Sequence, residues 1–117
     1  MAAASFLLAV VLVLCTFVLG CKASDSYEDC DVCYAMMEET EHYMATGPTE
    51  EDLLAFVQTG CCQVLYDNVR EEHSATLASE VQRDCLQVGS RYGKDLMTLL
   101  LDDYSPDVVC SVVGVCH

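Results

Sequence analysis

The cysteines constrain the fold of this chain more than any other feature. Nine of the 117 residues are cysteine, about 8%, a density typical of small exported domains that depend on disulfides. Seven of them follow an apolar N-terminal segment and fall into three groups. The groups are Cys30 and Cys33 near the start, Cys61, Cys62 and Cys85 in the centre, and Cys110 and Cys116 at the end. One disulfide-linked domain is therefore expected, with one sulfur left over.

The N-terminal segment is expected to be absent from the mature protein. Met1–Cys21 contains no charged side chain, and small residues at Cys21 and Ala23 suit cleavage after Ala23. We predict a secretory signal peptide over residues 1–23 and a mature domain over residues 24–117. A membrane anchor and a lipoprotein signal ending at Cys21 are the alternative interpretations.

The charge of the chain excludes one class of partner. There are 19 Asp and Glu against 5 Lys and Arg, a net charge of −14, and no Lys or Arg lies between Ser24 and Val69. Nucleic-acid binding needs basic side chains against phosphate, so no nucleic-acid partner is expected. The acids are interpreted as solvated helix faces, or alternatively as a surface whose self-repulsion disappears in acid.

Apolar residues recur at helical spacing along the mature chain, so an all-α fold is predicted. Gly47-Pro48 ends the first helix, near Thr46, and Thr49 followed by three acids has the form of a capping box for the second. A polar break over residues 70–74 precedes the third helix, which Gly89 and Gly93 are expected to bend, and Ser105-Pro106 begins the last. The predicted apolar faces are Val32, Cys33, Met36, Met37, Thr40 and Met44 in the first helix; Leu53, Phe56, Val57, Gly60, Cys61, Val64 and Leu65 in the second; Leu77, Val81, Cys85, Val88, Tyr92, Leu96, Leu99 and Leu100 in the third; and Val108, Val109, Val112, Val113 and Val115 in the last.

No pattern in the sequence indicates catalysis or a metal centre. In the sequence, no two of the three histidines, His42, His73 and His117, lie at metal-ligand spacing. Zinc on Cys30 and Cys33 is far less favoured than disulfide formation in an exported chain. We therefore expect no enzyme activity, no metal and no cofactor.

Four motifs, taken together, resemble one known family. They are Cys30-Asp-Val-Cys33; Thr49-Glu-Glu-Asp-Leu-Leu leading to Cys61; Cys85 followed by Arg91-Tyr92-Gly93 and the Leu96–Leu101 run; and Ser105-Pro106-Asp-Val-Val-Cys110 with Cys116 six residues further on. Over about Tyr27 to Cys116 the chain resembles a saposin-like (saposin B-type) domain. The resemblance implies a small disulfide-stapled bundle of four or five helices that closes alone and opens around lipid or on a membrane.

The resemblance also implies three disulfides, Cys30–Cys116, Cys33–Cys110 and Cys61–Cys85. Helical periodicity favours Cys61 over Cys62 for the third, because Cys61 falls on the apolar stripe and Cys62 lies about 140° from its centre. Cys62 is then the free thiol and is expected near the surface, where an intermolecular disulfide would make a homodimer. The alternative is a buried, inert thiol.

The central cysteines lie further apart than is usual in this family. The midpoint between Cys61 and Cys85 falls in the polar break, so the added residues are predicted to lengthen the antiparallel hairpin of the second and third helices. In this hairpin Val64, Leu65 and Val69 would face Leu77 and Val81.

The resemblance implies a non-enzymatic, lipid-binding or membrane-interacting protein of the secreted or lysosomal/endosomal lumen. It would bind, extract or present lipids, with acidic pH favoured, and a lipid hydrolase is a candidate partner. The alternative is a pore-forming, membrane-lytic effector of the amoebapore and granulysin type. A plant-type lipid-transfer protein is disfavoured because it needs a Cys-x-Cys motif. The residues predicted to be core or to face lipid are Met36, Met37, Leu53, Phe56, Val57, Val64, Leu65, Leu77, Val81, Tyr92, Leu96, Leu99 and Leu100.

Overall fold

The computed structural model of the protein describes residues 28–116, which form five helices joined by short loops. They are α1 (Asp29–Met44), α2 (Glu50–Ala55), α3 (Cys61–Glu72), α4 (Ala75–Leu101) and α5 (Pro106–Val112). This range contains no strand and has three disulfides, which confirms the predicted all-α, disulfide-stapled bundle. No helix within it is both long and apolar enough to cross a bilayer. The predicted signal peptide over residues 1–23, with Cys15 and Cys21, and His117 lie outside the described residues.

Two of the helix starts are capped by side chains. The Thr49 hydroxyl accepts a hydrogen bond from the Asp52 N–H at 3.1 Å, as the capping motif predicts. The Ser74 hydroxyl accepts a hydrogen bond from the Leu77 N–H at 3.1 Å. The loop between α3 and α4 therefore has only two residues, fewer than the polar break over residues 70–74 predicted from the sequence. Ser105 precedes α5, but its hydroxyl donates a hydrogen bond to the Asp107 carboxylate at 2.7 Å and does not cap the helix backbone.

The second predicted helix contains a π-turn that the sequence did not reveal. Residues Phe56–Gly60 form this π-turn between α2 and α3, and the backbone at both of its ends keeps right-handed helical angles. The Cys61 N–H bonds to the Phe56 carbonyl, five residues back instead of four. A π-turn holds one residue more than an α-turn, so every residue after it lags by about 100°.

The π-turn overturns the predicted third disulfide. Cys62, not Cys61, bonds to Cys85, with their Cα atoms 5.5 Å apart, and Cys61 is the free thiol. The lag carries Cys62 to the angle that Cys61 would occupy on an uninterrupted α-helix. Both cysteines are buried, so the predicted surface position of Cys62 and its intermolecular disulfide are also wrong. The other two disulfides, Cys30–Cys116 and Cys33–Cys110, are formed as the resemblance implied.

Helix α4 runs unbroken past the two glycines that were expected to bend it. Gly89 instead allows close contact with the π-turn: a Cβ atom there would lie 2.7 Å from the Gln58 carbonyl oxygen and 2.9 Å from that of Val57. Such distances exclude any side chain at position 89 without movement of backbone. The glycine therefore fixes the separation between α4 and the π-turn.

The predicted long hairpin is present. Helices α3 and α4 pack antiparallel along their length, with Val69, Ala78 and Val81 buried between them. At its surface the Gln82 amide donates to the Gln63 side-chain oxygen across the two helices at 3.4 Å. The hairpin extends the bundle beyond the region that the outer disulfides enclose.

Candidate functional site: the apolar interface between two disulfide-linked helix pairs

The disulfides divide the bundle into two covalent pairs of helices. Cys30–Cys116 and Cys33–Cys110 tie α1 to the end of the chain around α5, and Cys62–Cys85 ties α3 to α4. Within residues 28–116, no disulfide joins one pair to the other. The two pairs are connected by the backbone of two loops, residues 45–49 and 102–105, and by apolar packing.

Both connecting loops contain a residue with left-handed backbone angles. Gly47 has φ 77° and Asp103 has φ 67°. Glycine adopts this conformation freely, and Asp is among the few other residues that tolerate it. A Cβ atom at Gly47 would meet no other atom within 4 Å, so this residue itself has open space around it. Each loop therefore turns through one residue in the left-handed conformation.

The interface between the pairs is apolar and closely packed. Met36 and Met37 of α1 and Leu96 of α4 are fully buried, and Thr40 meets its hydrogen-bonding need locally by donating to the Met36 carbonyl at 2.7 Å. No buried side-chain polar atom in the described range lacks a hydrogen-bond partner. Because the interface contains so few polar atoms, an apolar ligand could replace the contacts of one face with little loss of hydrogen bonding.

The structure brings most of the predicted core residues together. The buried members of the predicted set are Met36, Met37, Leu53, Val57, Leu65, Val81, Leu96 and Leu100. Half-buried members that pack against this core are Phe56, Leu77, Tyr92 and Leu99. Val64 is also half-buried but does not join the core, since the π-turn rotates it away from the stripe of Leu53 and Val57. Whether any of these side chains contacts lipid remains a prediction.

The predicted apolar stripes omit several buried residues, among them Cys62, Ala78 and Met97. Cys62 was missed because the π-turn leaves no mark in the apolar pattern. Ala78 and Met97 are buried in α4 beside the predicted Leu77 and Leu96. Ala78 is followed at helical spacing by Val81 and Cys85, so a search that admitted alanine to apolar stripes would have found it.

An aromatic pair closes one edge of the interface. The rings of Tyr43 on α1 and Phe56 in the π-turn are stacked, with centroids 4.3 Å apart and planes 9° from parallel. Both side chains are half-buried. The stacked rings connect the two disulfide-linked helix pairs at a position that solvent can reach.

The free thiol lies against the disulfide of its own helix pair. The Cys61 Sγ is 3.8 Å from the Cys85 Sγ and donates a hydrogen bond to the Val57 carbonyl at 3.3 Å. Burial raises the pKa of Cys61 to about 12, and the nearby carboxylate of Glu39 adds to the rise. The sulfurs of Cys61, Cys62 and Cys85 all lie within 4.8 Å of one another. With two of them bonded, the group offers one thiol and not the set of thiolates that a soft metal ion prefers.

The charged groups are distributed unequally between the two pairs. Arg70, Arg83, Arg91 and Lys94, the cations of the described range, all belong to α3 and α4. On α4, burial raises the pKa of Asp84, and the carboxylate of Asp29 on α1 raises it further. On α5, the hydrogen bond from Ser105 lowers the pKa of Asp107.

Comparison with known proteins places this architecture. The family description "Saposin-like type B, region 2" matches residues 90–116, which include the end of α4, α5, Cys110 and Cys116. Prosaposin of Mus musculus is 28% identical over 87 residues, which is 74% of this chain and 13% of prosaposin. Saposin-C of Cavia porcellus is 26% identical over 87 residues, or 74% of this chain and 91% of saposin-C. No solved structure matches the chain. With the helical bundle and its three disulfides, these matches support a saposin-like domain.

Proposed function

We propose that this protein binds lipids and acts at membranes by separating its two disulfide-linked helix pairs, without catalysing a reaction itself. The observation that supports this most directly is the apolar interface between the pairs, which no described disulfide crosses. Separation at this interface breaks no covalent bond. Acyl chains would then occupy the faces that Met36, Met37 and Leu96 cover in the closed bundle.

The loops 45–49 and 102–105 serve as the hinges of this separation. Each loop connects one pair to the other, and each contains one residue with left-handed backbone angles. The stacked Tyr43 and Phe56 rings separate as the pairs part. Methionine in the interface suits ligands of varied shape because its side chain is flexible and polarisable.

Acidic pH favours lipid engagement in this proposal. At neutral pH a chain with a net charge of −14 is repelled by anionic membranes. Protonation of carboxylates lowers that repulsion, and Asp84, whose pKa is raised, takes up its proton before an ordinary aspartate does. An endosomal, lysosomal or secreted location is consistent with the three disulfides. A hydrolase of the same compartment, acting on the presented lipid, is the proposed partner.

Lipid transfer and dye leakage, measured side by side, test the proposal. Vesicles of neutral and anionic phospholipid are compared near pH 4.5, close to the usual carboxylate pKa values, and near pH 7, well above them. Transfer without leakage, greater in acid, is expected. Leakage in acid without transfer would replace the proposal by the pore-forming alternative, and neither activity at either pH would overturn both.

A matched pair of tyrosine variants links the activity to the interface. Tyr43→Leu removes the stacked contact that joins the helix pairs, so transfer should become faster. Tyr34→Leu alters a tyrosine of the same helix that is 43% exposed and serves as the control. Equal transfer by the two variants would contradict separation at this interface.

A further inference from the structure

We propose that the disulfide between α3 and α4 exists as two isomers, Cys62–Cys85 and Cys61–Cys85, which interconvert by thiol–disulfide exchange as the π-turn changes register. The inference does not depend on lipid binding. It rests on three sulfurs within 4.8 Å of one another, two from adjacent residues, and on the extra residue in the π-turn that selects between them.

The exchange is balanced without an added oxidant or reductant. Cys61 loses its thiol proton to solvent, and the thiolate attacks the Cys85 Sγ, 3.8 Å away. The Cys61–Cys85 bond forms as the Cys62–Cys85 bond breaks, and Cys62 leaves as a thiolate that takes up a proton. The chain has one free thiol and one α3–α4 disulfide before and after.

The geometry couples this exchange to a rotation of α3. Attack at a disulfide proceeds along the S–S axis, but the mutual distances place the Cys61 sulfur beside the bond and not in line with it. A turn of α3 by about 100° would bring Cys61 to the angle now held by Cys62. Loss of the π-turn produces that rotation, because the same residues then form an ordinary α-helix in which Cys61 lies on the stripe of Leu53 and Val57.

Several contacts hold the isomer seen in the structure. The Cys61 thiol donates to the Val57 carbonyl, and the Phe56 ring covers Gly60, where a Cβ atom would lie 2.9 Å from it. Gly89 of α4 packs directly on the backbone of the π-turn. These contacts must loosen before α3 turns, so exchange should be slow in the closed bundle.

Ionisation of Cys61 provides the second control on the rate. Burial and the carboxylate of Glu39 on α1 oppose formation of the thiolate, and Cys62 and Cys85 are bonded and do not titrate. Exchange needs the thiolate, so below the pKa of Cys61 its rate should rise about tenfold per pH unit. Separation of the helix pairs, which admits water to the cluster, should also accelerate it.

Thiol labelling of the wild-type protein tests the proposal directly. The folded chain is incubated without redox reagent at a series of pH values from about 5 to about 9. Over this range, which lies below the pKa of Cys61, the fraction of thiolate rises about tenfold per pH unit. It is then quenched in acid, unfolded and alkylated, and fragment-ion mass spectrometry assigns the label to Cys61 or Cys62. Label should start on Cys61 and appear on Cys62 with time, faster at higher pH, with one label per chain throughout this region. Label that stays on Cys61 at every pH would overturn the proposal.

Two variants isolate the second isomer and the π-turn. The Cys62→Ser variant should still form a disulfide, Cys61–Cys85, and keep its helix content. A folded variant in which Cys61 and Cys85 are both free thiols would contradict the inference. If this variant does not fold, the labelling of the wild type decides.

Deletion of the exposed Thr59 tests the coupling to the helix register. The deletion turns the π-turn into an α-turn with α3 in its present orientation, so label should remain on Cys61. The deletion mutant must be folded by circular dichroism for the comparison. If the deletion mutant exchanged its disulfide as fast as the wild type, the exchange would not depend on the π-turn, and the proposed coupling would be wrong.

Discussion

The two helix pairs differ in their disulfides, in their free thiols and in their charge. The α1–α5 pair has two disulfides, no free thiol and no Lys or Arg, whereas the α3–α4 pair has one disulfide, a free thiol and all the described cations. In the first, α5 has only seven residues to pack against the sixteen of α1, and two disulfides join the pair. The second is a long hairpin held mainly by packing along its length. The difference teaches that disulfides here replace helix–helix packing where one of the two helices is too short to supply it.

Removal of one disulfide from each pair gives the largest test of this contrast. Because Cys30–Cys116 still joins the two ends of the chain, Cys33–Cys110 closes an additional loop of only about nine residues in the unfolded protein, and in the chain-entropy model its loss lowers the free energy of unfolding by about 2.5 kcal/mol. Loss of Cys62–Cys85, with a separation of 23 residues, lowers it by about 3 kcal/mol.

The measurement is denaturant unfolding of Cys33→Ala/Cys110→Ala and of Cys62→Ala/Cys85→Ala. Both members of each bond are replaced, because a remaining Cys85 would be free to pair with Cys61. A much greater loss from the α3–α4 variant than from the α1–α5 variant would show that the hairpin depends on its disulfide more than its packing suggests.

Packing between the pairs should contribute nearly as much as a disulfide. Leu96→Ala leaves a cavity at a fully buried position facing α1, and we expect a loss of about 2–5 kcal/mol in unfolding free energy. Leu86→Ala, on the same helix but 42% exposed, is the matched control and should change it by less than about 0.5 kcal/mol. Thermal and denaturant unfolding measure both, and equal losses would mean that the interface is not the stabilising core.

The sequence was sufficient for the elements whose signals are local. Thr49 and Pro48 marked a helix boundary, the spacing of Leu77, Val81 and Cys85 marked one face of α4, and the cysteine set implied two of three disulfides. It failed at residues 61, 62 and 64 for a single reason. A π-turn depends on how the backbone fits against Gly89 of another helix, and a one-residue slip in register is invisible to a periodicity that assumes 100° per residue.

Helix capping offers a smaller contrast between the pairs. Ser74 caps α4 through its hydroxyl, so Ser74→Ala should lower the unfolding free energy by about 1 kcal/mol. Ser105 precedes α5 without capping it, and Ser105→Ala should change stability less than Ser74→Ala does. Thermal unfolding of the two variants is the measurement; the reverse order would imply that the Ser105–Asp107 hydrogen bond outweighs a true cap.

The smallest effect concerns one aspartate in each pair, with opposite signs. The pKa of Asp84 is raised by burial and by Asp29, so the folded state holds its proton more tightly than the unfolded chain. Its contribution to stability is greatest in acid and falls as pH rises through the folded-state pKa. Asp84→Asn should therefore stabilise the protein at neutral pH, by less than about 0.5 kcal/mol, with the gain vanishing near pH 3.

Asp107 should behave in the opposite way. Its pKa is lowered by the Ser105 hydroxyl, so its contribution is present at neutral pH and is lost as pH falls through the folded-state pKa. Asp107→Asn should therefore destabilise at neutral pH and have no effect in strong acid. Melting temperatures of both variants across this range decide the matter. If the melting temperatures of the two variants changed with pH in the same way, the two carboxylates would have similar surroundings. The unequal distribution of charge between the helix pairs would then have no effect on their pKa values.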